Sequence, residues 1–198
     1  GVKEIYYTGG EPFIHQGIMR ILERTLVDFP TSVLTNGLPI NAQRVDQLRR
    51  IVDRSKYTLE IRISLDDYDP ERNDAVRGKG TFRQAMDSYK RLYKNGFLPI
   101  LTVSEIGNYL YQNRRGHNVY QNFLDLLQSI GIEKPRIKIL PVFEMGMLPA
   151  WSQNRLTHKL LENFDHSLLQ CSSSRMIAHD GIYACPILVG QEKAKMEK

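Results

Sequence analysis

Five places along the chain join an apolar run to a polar or glycine-bearing turn, and these are where chemistry can be placed. They are Thr8-Gly9-Gly10-Glu11-Pro12, Thr35-Asn36-Gly37, Ser64-Leu65-Asp66-Asp67, Ser104-Glu105-Ile106-Gly107 and Pro141-Val142-Phe143-Glu144-Met145-Gly146. Any one of them reads equally well as an ordinary polar loop; five in succession weaken that reading. The first is the most informative. Two glycines after a strand let the backbone come close to a ligand and leave its N–H and C=O groups free. Glu11 can accept from a cationic group, and Pro12 fixes the exit into the next element. The bland alternative is a plain tight turn. Hydrolytic metal chemistry is disfavoured, since it needs clustered His and carboxylates. The five histidines, His15, His117, His158, His166 and His179, show no ligand spacing.

The elements that must position these turns follow from hydrophobic period. Strands are expected at about residues 3–8, 32–35, 59–65, 98–104 and 136–142. The third is the clearest, with Ile61, Ile63 and Leu65 alternating against Glu60, Arg62 and Ser64. Helical faces follow each strand. Ile14, Ile18, Ile21, Leu22 and Leu26 form the first, and Val45, Leu48, Ile51 and Val52 the second, behind an N-cap at Asn41. The third starts in a capping box, Thr81 with Gln84, carries Phe82, Ala85, Met86, Tyr89 and Leu92, and stops at Gly96. Val119, Phe123, Leu126, Leu127 and Ile130 form the fourth. A fifth is expected around residues 153–169, and a hairpin around Asp180-Gly181. Repeated βα units predict an α/β fold with a parallel sheet. Such folds keep their sites at the C-terminal strand ends, where the five turns lie.

Composition bounds the rest. At 198 residues, 41% apolar and 25% charged, the chain is an ordinary globular one. A chain of this length buries roughly 70% of its unfolded surface and needs no metal or disulfide to fold. Its 27 basic and 22 acidic residues leave +5, spread along the chain. That allows a nucleic-acid or membrane partner without arguing for one. No apolar run approaches the ~18–20 residues of a membrane span. Two cysteines, Cys171 and Cys185, exclude a disulfide-rich secreted scaffold, and a cytoplasmic location is expected.

The order and spacing of Tyr7-Thr8-Gly9-Gly10-Glu11-Pro12, Leu34-Thr35-Asn36-Gly37 and Ile63-Ser64-Leu65-Asp66 resemble the radical S-adenosylmethionine superfamily, over roughly residues 1–146. The stretch from Asp69 to Gly78 is similar to a segment of its peptide-modifying members. The resemblance implies a partial parallel (β/α)6 barrel with five βα units visible. It implies that Gly9, Gly10 and Glu11 bind the methionine amino group of S-adenosylmethionine, with Pro12 shaping the turn. Ser64 would contact the ribose or carboxylate, Arg77 the carboxylate, and the backbone near Leu140 the adenine. A solvated residue at a helix approach is the alternative for Arg77. Thr35 and Asn36 would face substrate, or Asn36 would merely stabilise its turn. The family's chemistry is reductive cleavage of the cosubstrate by a [4Fe–4S] cluster, giving a 5′-deoxyadenosyl radical that takes hydrogen from a substrate. A peptide or protein substrate and a flavodoxin- or ferredoxin-like reductant are implied.

Two departures stand out. The family holds its cluster with Cys-x3-Cys-x2-Cys, which this sequence lacks. The chain opens on Gly1 and a strand, so an N-terminally truncated fragment is expected, inactive by itself, with the cluster ligands upstream. A degenerate barrel that only binds a nucleoside-like ligand or a partner is the alternative. The tail, Cys171 through Asp180-Gly181 to Cys185-Pro186, resembles the start of an auxiliary-cluster (SPASM/twitch-like) extension. Nine residues separate Cys171 from Gly181, but three lie between Gly181 and Cys185 where four are usual. Cys171 and Cys185 are then either metal ligands or free thiols. The expected division is a barrel core over residues 1–169 and the extension over 170–198. A sheet open on one side also predicts an association-prone edge. Asp67 replaces a glycine common in relatives, with an effect expected to be local.

Overall fold

The structure is a computed structural model that describes residues 1–104, 118–140, 159 and 162–196. It separates into two compact units, residues 1–143 and 144–198. The first unit is one five-stranded parallel sheet: β1 (Ile5–Tyr7), β2 (Thr31–Thr35), β3 (Leu59–Leu65), β4 (Ile100–Ser104) and β5 (Ile137–Leu140), in that spatial order. The expected α/β class and parallel sheet are present. Between the strands run α1 (Ile18–Asp28), α2 (Ala42–Arg54), α3 (Pro70–Arg77), α4 (Thr81–Lys94) and α5 (Val119–Ser129).

Strand period divides the sheet into two unlike faces. Successive side chains on a strand point to opposite sides, and residues in register share a side. Val33, Ile61, Ile63, Leu65, Leu101 and Val103 are buried in one apolar cluster with Leu22, Leu48, Phe82, Tyr89, Leu92, Phe123 and Leu127 from the helices. Each such side chain contributes roughly 1.5–3 kcal/mol of burial. On the opposite face lie Tyr6, Ser32, Glu60, Arg62, Ser64, Thr102, Ser104 and Lys138, as the register pairs Tyr6–Ser32–Glu60, Ser64–Thr102–Lys138 and Ser104–Leu140 require. The apolar face builds the fold, and the opposite face, which also carries Leu34 and Ile100, is mostly polar.

Several local expectations are corrected. Ile14 does not join the first helix: it ends a 3-10 turn, Pro12–Ile14, and is 72% exposed. Proline at the first position of that turn costs nothing, because its missing N–H would have no partner there. The segment after Asp69 forms α3, with Asp69 accepting from the Glu71 and Arg72 amides and Pro70 leading. Thr81 does not cap α4. The cap residue is Gly80, which has no side chain to offer, and the carboxylate of Asp74 accepts from the Gly80 and Phe82 amides instead. The expected helix over residues 153–169 does not reach its end, since His166–Leu168 is a 3-10 turn with Leu168 73% exposed; residues 153–158 lie outside the described residues. The Glu105 loop and the end of the fifth expected strand, from residue 141, also lie outside them.

In the second unit, α6 (Gln170–Ser173) precedes an antiparallel hairpin of β6 (Met176–Ala178) and β7 (Gly181–Tyr183). Its two-residue turn, His179-Asp180, is where the Asp-Gly signal put it. Tyr183 is fully buried and donates to the Asp180 carboxylate at 2.6 Å. Among the described residues no helix is long and apolar enough to cross a membrane.

Candidate functional site

The turn after β1 presents backbone. Gly9 holds φ at +119°, a conformation that disfavours a side chain, and a Cβ on either Gly9 or Gly10 would meet nothing within 4 Å. The peptide groups of both glycines are exposed. The open space lies directly over them.

Behind that opening, Glu11 is fixed from three directions. Its Oε1 accepts from the Thr35 hydroxyl at 2.7 Å and the Phe13 amide at 3.0 Å; its Oε2 accepts from the Asn36 amide at 2.7 Å. The first turn is thereby bolted to the end of β2. Thr35 also accepts from the Gly37 amide at 3.0 Å, and Asn36 accepts from the Leu38 amide at 2.9 Å through its side chain. Both side chains thus have turn-building work. Gly37 sits at φ +81°, with the Cα of Ala85 3.3 Å from where its Cβ would be. The carbonyl of Gly37 accepts from Ser88, which also donates to Ile40, so β2's turn is seated on α4.

The end of β3 presents charge, all of it paired. Arg77 donates through Nε and one Nη to Asp66, at 2.7 and 3.2 Å, and Ser104 donates to the same carboxylate at 3.1 Å. This paired fork leaves the Nη1 edge of Arg77 for a further acceptor. Asn73, fully buried, accepts from the Asp66 amide at 3.0 Å. Asp67, 6% exposed, takes a bidentate pair from Arg72 at 3.0 and 2.9 Å and accepts from the Asp69 amide. Arg72 also lies over the Tyr68 ring, 4.9 Å from its centroid, and its hydrogen bond to Asp67 holds its pKa above the ordinary arginine value.

Deeper on the polar face, Glu60 is gripped by Arg62 at 2.6 Å and Arg136 at 2.9 Å. Burial raises its pKa, but the two guanidinium groups outweigh this and hold it below 4.5. Arg62 stacks over Tyr6, whose pKa is raised by burial and by its hydrogen bond to Glu4. Between this cluster and the Asp66 rim, the row Ser64–Thr102–Lys138 crosses three strands. Thr102 is 5% exposed, and its hydroxyl has no hydrogen-bond partner among the described residues. An unsatisfied buried hydroxyl costs about 1–3 kcal/mol.

Through Glu11 the structure ties the turn of Gly9, Gly10 and Pro12 to Thr35 and Asn36. It joins Arg77 to the strand bearing Ser64 through Asp66, and sets Leu140 in register with Ser104. Cys171 and Cys185 lie in the second unit and are not joined in a disulfide: Cys171 is exposed on α6, and Cys185 follows β7. Sequence reading gave no role to Asp66, Asn73, Ser104 or Thr102. Asp66 and Ser104 were visible as strand-end polar residues. For a threonine inside an apolar strand there was no signal.

The family model of the radical SAM superfamily matches residues 1–121. The GTP 3',8-cyclase of Petrotoga mobilis is 24% identical over 151 residues, covering 75% of this chain and 43% of the cyclase. Among solved structures, native anSMEcpe with bound AdoMet and the Cp18Cys peptide has a TM-score of 0.48 at 14% identity, covering 68% of this chain and 37% of that one. Native anSMEcpe with bound AdoMet has a TM-score of 0.46 at the same identity, over 68% and 36%. The chain thus spans less than half the length of each.

Proposed function

The chain belongs to the radical SAM superfamily, and from that premise we propose that it is the cosubstrate-binding portion of a radical S-adenosylmethionine enzyme. The observation that carries this reading is the first turn: open space over Gly9 and Gly10, with Glu11 held rigidly behind them. Exposed peptide carbonyls and a carboxylate suit the cosubstrate's methionine ammonium. Three donors already sit on Glu11, which leaves acceptor capacity on Oε2 for a fourth. Pro12 sets the turn that keeps these groups in place. The free edge of Arg77 suits the methionine carboxylate. Ser64 and the backbone at Leu140 then take the nucleoside end, with Thr35 and Asn36 at the mouth toward substrate.

The family implies a [4Fe–4S] cluster, which would supply one-electron reduction. The residues of this chain do not fit that cluster. Its two cysteines follow the last strand of the sheet in sequence, and no Cys-x3-Cys-x2-Cys occurs. This chain therefore contributes binding, orientation and exclusion of water, not electron delivery. Residues 170–198 begin an auxiliary-cluster extension in this proposal, with Cys171 and Cys185 as two of its ligands. The substrate of the whole enzyme is a peptide or protein, and its reductant a flavodoxin or ferredoxin. The shortage of thiolates equally favours a second reading, a barrel that binds a nucleoside-like ligand without turnover.

Calorimetric titration of the 198-residue chain with S-adenosylmethionine tests the binding reading. One site is expected, weakened at least tenfold in Gly10→Val with thermal stability unchanged. Equal binding by the variant, or none by either protein, overturns it. Incubated with iron, sulfide and reductant, the chain alone is expected to give no 5′-deoxyadenosine; steady product would contradict that.

A further inference from the structure

We infer that the row Thr102–Lys138, closed at its β3 end by Ser64, is a subsite for an oxyanion of the substrate, one tier below the cosubstrate. The inference rests on the reading above for what lies over it, and adds the chemistry of what lies under it.

The first observation is Thr102. It is 5% exposed, on the polar face of the inner strand β4, and its hydroxyl has no partner among the described residues. Buried hydroxyls are nearly always satisfied, so an orphan in the middle of a functional face is a donor waiting for a ligand. Packing does not require the hydroxyl, because valine has the same shape and would leave no polar atom unpaired.

The second is what flanks it. Ser64 and Lys138 are its register neighbours on β3 and β5, so the three side chains stand in one line across the sheet. With strands about 4.8 Å apart, that line spans about 10 Å, enough for one carboxylate or phosphate. Lys138 is exposed, and its ammonium supplies the charge.

The third is electrostatic. The carboxylates adjoining the row are already neutralised: Glu60 by Arg62 and Arg136 on one side, Asp66 by Arg77 on the other. Lys138 therefore meets no competing described carboxylate on this face. The Thr102 hydroxyl and the Lys138 ammonium, set between neutralised pairs, favour an anion over a neutral or cationic group.

Depth separates Thr102 and Lys138 from the rim groups proposed for the cosubstrate's methionine end, with Ser64 as the boundary between the two ligands. The row lies two residues below the Asp66 rim, about 6.5 Å along the strand. The glycine turn and Arg77 work at the rim. An anionic substrate group anchored on Thr102 and Lys138 would hold the rest of the molecule up toward the cosubstrate.

The test is an NMR titration of the 198-residue chain with acetate and, separately, inorganic phosphate, in Thr102→Val, Lys138→Met and the parent protein. The parent should show saturable shifts at the Thr102 and Lys138 amides, and the anion that saturates lower identifies the carboxylate or phosphate source. Each variant should weaken that binding at least fivefold. S-adenosylmethionine affinity should stay within twofold of the parent, and Thr102→Val should melt no lower than the parent. Absence of saturable shifts with both anions, or shifts unchanged in Lys138→Met, overturns the subsite. A parallel loss of S-adenosylmethionine affinity in both variants also overturns it, by giving the row to the cosubstrate. If the parent binds an anion here but no S-adenosylmethionine, the subsite stands and the cosubstrate reading fails.

Discussion

At the end of β1 the chain offers backbone, and at the end of β3 it offers charge. In the first turn both glycines face open space, and the one carboxylate, Glu11, is fixed by Thr35 and Asn36 with acceptor capacity left on Oε2. In the third, Asp66 and Asp67 each carry an arginine, and Asn73 is buried under the Asp66 amide. The difference separates two ways of making a rigid site. One fixes a side chain so that the main chain can bind. The other pairs charges in advance, so that a ligand meets a guanidinium already oriented. Neither turn can be rearranged without loosening the strand beside it.

The largest effect that would break this contrast is expected at Glu11. Glu11→Ala removes the acceptor of three part-buried hydrogen bonds, and such bonds contribute about 0.5–1.5 kcal/mol each. Denaturant unfolding should show a loss of about 2–4 kcal/mol, with S-adenosylmethionine binding falling at least tenfold. Glu11→Gln should recover part of the stability. A fully stable Glu11→Ala protein would mean that the carboxylate does not hold the turn.

Asp67→Ala comes next. It removes the carboxylate that pairs with Arg72, and breaking a largely buried pair costs about 3–5 kcal/mol when the partner is enclosed. Arg72 is 23% exposed, so about 2 kcal/mol is expected by chemical denaturation. Arg72→Met added to Asp67→Ala should cost less than the two single changes together. Strict additivity would show that the pair is not coupled.

The smallest effect concerns pH. Asp74 is held below its ordinary 3.8 chiefly by the Phe82 and Gly80 amides at the start of α4. A carboxylate lowered in the folded state adds stability above its unfolded value. That contribution is lost as pH falls through the lower folded value. Thermal melts between pH 5 and pH 2 should therefore show Asp74→Asn with a shallower acid slope than the parent. Equal slopes would remove Asp74 as the cap of α4.

The two turns were not equally legible. The first could be read because glycine and proline act through their own backbone geometry, which the sequence states outright. β3 was read to the residue, since Leu59–Leu65 alternates without interruption and one face must be apolar. Ile14 misled because it falls in helical register with Ile18 and Ile21, while the chain at Pro12 makes a short turn instead. The Asp67–Arg72 pair, the burial of Asn73 and the Asp74 cap depend on a loop folding back on α3, and residue type does not encode that path. Asp74 lies six residues before Gly80, outside any local capping pattern. Thr102 was hidden among Ile100, Leu101 and Val103, where only cross-strand register reveals which side chains share the polar face.

The contrast is tested most directly by mapping S-adenosylmethionine onto the 198-residue chain by amide chemical shifts. Saturable shifts are predicted at Gly9, Gly10 and Asn36, where backbone meets ligand. The Arg77 side chain should respond as well, while the amides of Asp67 and Asp69, enclosed behind their own ion pair, stay still. Shifts confined to the second unit, or none at Gly9 and Gly10 at saturating cosubstrate, would contradict the account.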